Sequence, residues 1–277
     1  MIDLHTHSTA SDGTDTPAQL VELAAAVGIT VVALTDHDTT AGWAEAADAA
    51  QQYQVSLVRG AELSTISGET SIHLLAYLFD PTFEPLAAEL TRIRRSRFDR
   101  AEQMAARLAA DYPITWESVL DQVEPGATVG RPHLADALVA AHVVANRDEA
   151  FESMLHRSSP YYIPNHSLDT ADAIALVRAA GGVPVVAHPF ARRRGRVVDD
   201  VLLADLAAAG LAGVEVDHRE HDVATRTHLR GVAAELNLLV TGSSDYHGAG
   251  KPNRLGEHQT SPEVLKALVA ESVLGAC

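Results

Sequence analysis

A chain of 277 residues with 21 basic and 37 acidic side chains, formally −16 at neutral pH, lacks the broad basic surface that duplex nucleic acid requires. Its 47% hydrophobic and 21% charged content excludes a disordered chain, and the length suits one large α/β barrel or two modest domains. The one cysteine, Cys277, excludes a disulfide framework and a cysteine-based zinc site.

No apolar run reaches the roughly 18 residues of a membrane span, and the opening Met-Ile-Asp-Leu-His is unlike a secretory signal, so a reducing cytoplasm is the expected location. From the N-terminus, residues 2–4 read as a short strand ending in His5-Thr6-His7, with Asp12 just beyond. Two apart on extended chain, His5 and His7 share a face and can reach one ion. A helix is predicted over 17–27, with Thr16 as cap, Pro17 at the first helical position and Gly28 as stop. The second strand, 31–35, runs into Asp36-His37-Asp38, and a helix over 40–53 follows. The third strand, 56–63, ends at Glu62, and the fourth, 72–78, begins beside His73.

From about 81 to 164 this alternation stops and the pattern is nearly all helical. We read 81–164 as a helical insertion, with 1–80 and 165–277 forming the barrel. The arginines at 92, 94, 95, 97 and 100 lie in a helical run that also holds acids, and read as a solvated face. After the insertion come a helix over 171–180, a strand over 183–187 leading to His188, and a helix over 198–209. A strand over 213–216 carries Glu215 and leads to His218, a helix covers 224–236, and a strand over 238–241 leads to Asp245 and His247.

Short strands alternating with longer helices are the signature of βα units. In a parallel barrel of such units the carboxyl ends of the strands meet on one face, where sites form. A lone histidine after a strand is ordinarily a surface or satisfied core residue, and an Asp-His pair can cap a helix. Neither accounts for His, Asp or Glu at six strand ends together. His5, His7, His37, His73, His188 and His247 with Asp12, Glu62 and Asp245 exceed the four to six ligands of one ion. Two or three divalent ions are therefore expected, with a carboxylate such as Glu62 shared. An all-nitrogen-and-oxygen set suits Mn²⁺, Fe²⁺ or Zn²⁺.

In order along the chain stand His5-Thr6-His7 with Asp12, Thr35-Asp36-His37-Asp38, Gly60-Ala61-Glu62, His73, Gly130-Arg131-Pro132-His133, Ala187-His188-Pro189 and Ser244-Asp245-Tyr246-His247-Gly248. This series resembles the polymerase-and-histidinol-phosphatase (PHP) superfamily, in its branch of stand-alone phosphoesterases acting on nucleotide and oligonucleotide phosphates. The resemblance runs from residue 1 to about 250 and implies a distorted (βα)7 barrel with a three-metal site. It implies one ion on His5, His7, Glu62 and Asp245, a second sharing Glu62 with His73 and His188, and a third on Asp12, His37 and His247. It also makes Arg131 and His133 phosphate contacts; a turn and a helix start are the plain alternative. Relatives often carry a lysine before the proline that ends the insertion, where this chain has Ser158-Ser159-Pro160, which leaves that contact open with Arg157 as the nearest replacement.

Cations at a strand-end cleft point to hydrolysis of a phosphate ester by a metal-activated water, with metal and arginine charge offsetting that of the transition state. Asp245 then belongs to the water-activating pair, and His218 protonates the leaving oxygen or binds a phosphate. Arg192 and Arg194, just after His188, are candidate bidentate phosphate partners, a solvated loop being the alternative. Asp36 and Asp38 orient His37 or cap the next helix, and His221, His228 and His258 read as surface residues. The expected substrate is a 3′,5′-nucleotide bisphosphate or a short 5′-phosphorylated oligonucleotide. The alternatives are a small metabolite such as L-histidinol phosphate, or a non-catalytic metal-binding module.

Overall fold

The seven apolar runs each become a strand, and an eighth, very short one joins them. In the computed structural model, which describes residues 1–191 and 197–273, the strands are β1 (Ile2–Asp3), β2 (Val31–Leu34), β3 (Ser56–Ser67), β4 (Thr70–Tyr77), β5 (Leu168–Asp169), β6 (Val183–Val186), β7 (Gly213–Asp217) and β8 (Leu239–Gly242). They pair in the order β1-β2-β3-β4-β6-β7-β8, with β5 against β3. A parallel bridge between Thr6 and Tyr246 joins the first and last members, so the sheet is a nearly closed seven-stranded barrel. The Tyr77 hydroxyl spans its interior to donate to the Leu4 carbonyl at 2.7 Å.

One strand departs from the all-parallel expectation. β4 runs antiparallel to both β3 and β6. Only Gly68 and Glu69 separate β3 from β4, too few residues for a crossover, so the chain must fold straight back. The reversal brings the start of β4, where His73 lies, to the face where the other strands end.

Alternation along the strands sorts the core. Leu4, Val58, Leu75, Val183 and Val185 pack in the barrel with Leu268. Val32, Leu34, Leu74, Val186 and Val214 pack against the surrounding helices. Those helices are α1 (Pro17–Ala26), α2 (Trp43–Tyr53), α7 (Thr170–Ala179), α8 (Asp200–Ala208) and α9 (Val223–Glu235); α10 (Pro262–Glu271), absent from the sequence reading, supplies Leu268. Thr16 forms a capping box with Gln19, as its position before Pro17 indicated. α2 starts later than the predicted residue 40, because Thr39 and Thr40 accept from the N–H groups of Ala41 and Trp43 in a turn.

Between β4 and β5 the described chain holds α3 (Glu84–Leu108), α4 (Trp116–Leu120), α5 (Arg131–Ala140) and α6 (Arg147–Ser153). Met104, Leu108, Leu134, Leu138 and Leu155 form a separate apolar cluster there. No helix among the described residues is long and apolar enough to cross a membrane.

Candidate metal centre

Local backbone geometry aims the candidate ligands. Asp38, His188 and Asp245, each just past a strand, have φ of 55°, 29° and 53°, a left-handed turn that non-glycine residues rarely adopt. Gly13 closes the turn after Asp12, where a Cβ would lie 2.5 Å from the His7 carbonyl oxygen.

Glu62 is the hub. Its Oε2 lies 3.3 Å from His5 Nε2, 3.1 Å from His7 Nε2 and 3.3 Å from His37 Nδ1. Its Oε1 lies 2.7 Å from His73 Nδ1 and 3.1 Å from His188 Nε2. Asp245 Oδ1 stands 3.4 Å from His5 Nε2 and 3.6 Å from His7 Nε2. Asp12 reaches His247 Nε2 at 3.3 Å, His7 Nδ1 at 3.6 Å and His37 Nε2 at 3.8 Å. All nine sequence-derived candidates converge, every one buried except the half-buried His73.

Among the described residues three groups have ligand atoms close enough for one ion: His5, His7, Glu62 and Asp245; His7, Asp12, His37 and His247; and His37, Glu62 and His73. The first matches the expected set. The second adds His7 to the expected third set, and the third brings His37 beside His73, while His188 touches Glu62 directly.

The donor set fits divalent cations. His247 Nδ1 faces the Asp245 carbonyl at 2.9 Å, so Nδ1 carries the proton and the lone pair of Nε2, buried without a hydrogen-bond partner, faces the cluster. His5 repeats the pattern, with Nδ1 on Glu215 Oε1 at 3.2 Å and Nε2 in the cluster. Ligation through one ring nitrogen with the other tied to an oxygen is typical of metal-bound histidine. At His5 burial is outweighed by the charges of Glu62, Glu215 and Asp245, which raise it well above the usual histidine value, so an ion there has to displace a proton. Electrostatics agree for His247, Asp12 and Glu62. Burial, then the nearby His7 and Lys251, lowers His247 to about 4. Burial works against ionised Asp12 and Glu62, but the imidazoles around each outweigh it and hold both carboxyls well below their usual range. Neutral imidazole and ionised carboxylate are the forms that bind metal.

The supporting residues differ in part from expectation. Asp36 neither touches His37 nor caps a helix; it accepts from Ser8 N, Ser8 Oγ and Ser11 Oγ, fixing the loop that carries Asp12. Asp38 accepts from Ser64 N and Oγ and pairs with Arg97 Nη1 at 2.9 Å. Glu215, on β7, also accepts from His188 N at 2.9 Å, so one buried carboxylate sets two histidines. Exchanging Glu215 for alanine should weaken metal binding by about ten- to a hundredfold, read by titrating the metal-depleted protein with Mn²⁺.

His218 is buried, with Nδ1 accepting from Glu220 N at 3.2 Å, so Nε2 holds the proton, 3.5 Å from Asp245 Oδ2. His221 is buried rather than on the surface: its Nδ1 lies on the Val216 carbonyl and its Nε2 accepts from Phe190 N. His228 is exposed and pairs with Asp200, and His258 contacts Arg226. His133 Nδ1 accepts from Gly130 N at 3.1 Å, leaving the proton on Nε2. Arg131 is braced inside the helical segment, donating to the Leu155 carbonyl at 2.9 Å with its guanidinium over the Phe151 and Tyr162 rings. Arg157 donates to the Glu69 carbonyl. Arg192 and Arg194 lie outside the described residues. Lys251, which the sequence did not single out, places Nζ 3.0 Å from Asp245 Oδ2. A cleft of about 1180 Å³ opens beside the cluster, lined among others by Ser11, His133, Arg147 and Lys251.

The sequence profile of the PHP domain matches residues 3–122. A 3′,5′-nucleoside bisphosphate phosphatase from Chromobacterium violaceum is 33% identical over 98% of this chain and 95% of its own length. A 5′-3′ exoribonuclease from Haemophilus influenzae is 33% identical over 88% of this chain and 89% of its own. A crystal structure assigned as a metal-dependent phosphoesterase from Bifidobacterium adolescentis superposes with a TM-score of 0.96 at 44% identity, covering 98% of this chain and 96% of that one.

Proposed function

The chain belongs to the PHP domain family, a family of metal-dependent hydrolases, and on that premise we propose that it hydrolyses nucleotide phosphates. The substrate is a 3′,5′-nucleotide bisphosphate or a short oligonucleotide trimmed from a 5′-phosphorylated end. The observation that carries the reading is the meeting of three candidate ligand groups, two of them sharing Glu62, next to Ser11 and Lys251 of the large cleft. Overall similarity to a phosphatase and an exoribonuclease supports it.

In this reading two or three ions of Mn²⁺, Fe²⁺ or Zn²⁺ would be held by His5, His7, Glu62 and Asp245, by Glu62, His73 and His188, and by Asp12, His37 and His247. Bound there, such ions supply Lewis-acid polarisation of a phosphoryl oxygen and a water acidic enough to ionise near neutral pH. The protein's own part is positional. Glu62 links two ligand groups, and Glu215 fixes the ring of His5. His218 holds a proton at Nε2, 3.5 Å from Asp245 Oδ2, and in this reading would pass it to the leaving oxygen. His133 offers an N–H to a phosphate in the cleft, and Arg131 acts from the helical segment behind it. With Cys277 as the one cysteine, the reading keeps the enzyme in the cytoplasm.

The test is phosphate release with added Mn²⁺ from adenosine 3′,5′-bisphosphate, a 5′-phosphorylated oligoribonucleotide and L-histidinol phosphate. We expect the two nucleotide substrates to be preferred by at least about tenfold in kcat/KM, a margin one charge-assisted phosphate contact supplies, and EDTA to abolish turnover. Preference for histidinol phosphate would overturn the substrate class. Full activity in EDTA would overturn the metal scheme.

A further inference from the structure

The arginines of α3, read from sequence as a solvated face, divide in two. Arg92 and Arg95 are exposed, but Arg97 and Arg100 are each only 7% accessible. Arg97 Nη1 donates to Asp38 Oδ2 and, at 2.7 Å, to Ser64 Oγ. Ser64 pairs with His73 across the β3–β4 ladder, so Arg97 touches the hairpin that bears the metal centre. Arg100 lies one helical turn on, about 4.5 Å along the axis.

Charge around Arg100 does not balance. Its Nη1 donates to the neutral Asn165 Oδ1 at 2.7 Å, and its Nε is buried with no hydrogen-bond partner. Arg131, close enough to repel it, is held by a carbonyl and two rings. Among the described residues Asp38 is the one carboxylate salt-bridged to any of these three guanidinium groups. Burial, then the charges of Arg97 and Arg131, drags Arg100 down to about 9, well below the usual arginine value. A buried charge left without a counter-ion is strongly unfavourable, and an anion removes the imbalance.

Arg100 is not sealed in. It forms part of the wall of a pocket of about 340 Å³ lined by α3 together with Ile163, Pro164 and His166, with Arg92, Arg95, Ser96 and Gln103 around it. Asp99 also lines this pocket and pairs with Arg95 at 3.0 Å, and Glu89 pairs with Arg92 at 3.7 Å. The Arg95–Asp99 pair is exposed and weak enough to exchange for a phosphate, whereas the Glu89 side chain is 14% accessible and also holds His166.

Resting on the phosphoesterase reading above, we infer that this pocket is a subsite for a non-reacting phosphate of an oligonucleotide whose 5′ end lies at the metal centre. Its place one helical turn beyond the Ser64–Arg97 contact suits a phosphate downstream of the reacting one. Its wall carries Ile163 and Pro164 but no Phe, Tyr or Trp, so the contact is with the backbone and indifferent to base. The subsite therefore favours chains over mononucleotides.

The test compares Arg92→Glu/Arg95→Glu, whose side chains are 66% and 77% exposed and leave the core untouched, with Arg100→Met. Each is assayed with Mn²⁺ on a 5′-phosphorylated pentaribonucleotide and on adenosine 3′,5′-bisphosphate. Equilibrium binding of a fluorescent pentaribonucleotide is measured beside them. Both variants should bind the pentanucleotide about tenfold or more weakly, with a shallower salt dependence, and lose kcat/KM on it to the same extent. The bisphosphate should be affected less than about twofold, since on this inference only a longer chain carries a phosphate into the pocket. Unchanged pentanucleotide binding in the double variant would overturn the subsite, as would equal losses on both substrates. Failure of the wild type to hydrolyse either substrate would instead refute the nucleotide reading, and binding would still decide the subsite.

Discussion

Asp245→Asn should cut phosphate release by more than about a hundredfold while leaving a cooperative unfolding transition. Loss of residues that merely orient metal ligands already costs about ten- to a hundredfold, and Asp245 belongs to a ligand group itself. Asparagine is the informative replacement because Asp245 sits at φ 53°, which asparagine tolerates better than alanine. The substitution removes the negative charge and keeps the size. Steady-state rates and elemental analysis together check the result, which should show low activity and reduced metal content. A rate near wild type with full metal content would remove Asp245 from the centre.

Asp38→Asn should destabilise the fold by about 3–5 kcal/mol, the cost of breaking a buried ion pair from one side. Asp38 is fully buried and Arg97 nearly so, and the neighbouring Arg100 and Arg131 add repulsion that only Asp38 offsets by direct pairing among the described residues. Urea unfolding measures the loss. Adding Arg97→Met should recover much of it, since a buried pair replaced on both sides by uncharged groups is often neutral. No recovery in the double variant would mean that Asp38 acts through its bonds to Ser64 rather than through its charge.

The strands and the nine ligand candidates were legible because each rests on a short, local pattern. An apolar run of four or five residues closing on His, Asp or Glu needs no knowledge of the rest of the chain. What failed was longer in range. β5 has two residues and exists through its pairing with Thr65 and Ile66. The direction of β4 depends on the brevity of Gly68-Glu69, a signal that was present and not used. His221 read as a surface residue because its partners, Val216 O in β7 and Phe190 N in the connection after β6, are far apart in sequence. The burial of Arg97 and Arg100 was recoverable from spacing. With Ile93, Ala101, Met104 and Leu108 they fall on the apolar phase of α3, whereas Arg92 and Arg95 fall off it. Glu215 was visible at its strand end, but its bond to His5, 210 positions away, was not.

The bridge from Thr6 to Tyr246 has a consequence for the order in which the protein is made. The His7 N–H donates to the Tyr246 carbonyl at 2.8 Å, so the strap that shuts the barrel lies between His5 and His7 on one side and Asp245 and His247 on the other. During synthesis His5 and His7 leave the ribosome before Asp245 and His247, which follow some 240 residues later. At about 5–20 residues per second, that is a wait of tens of seconds at the slow end of the range. A nascent chain that has not yet made Asp245 cannot complete the candidate group of His5, His7, Glu62 and Asp245. Metal that binds the completed centre in turn pulls the last strand home, since a ligand that prefers the closed form stabilises closure by mass action.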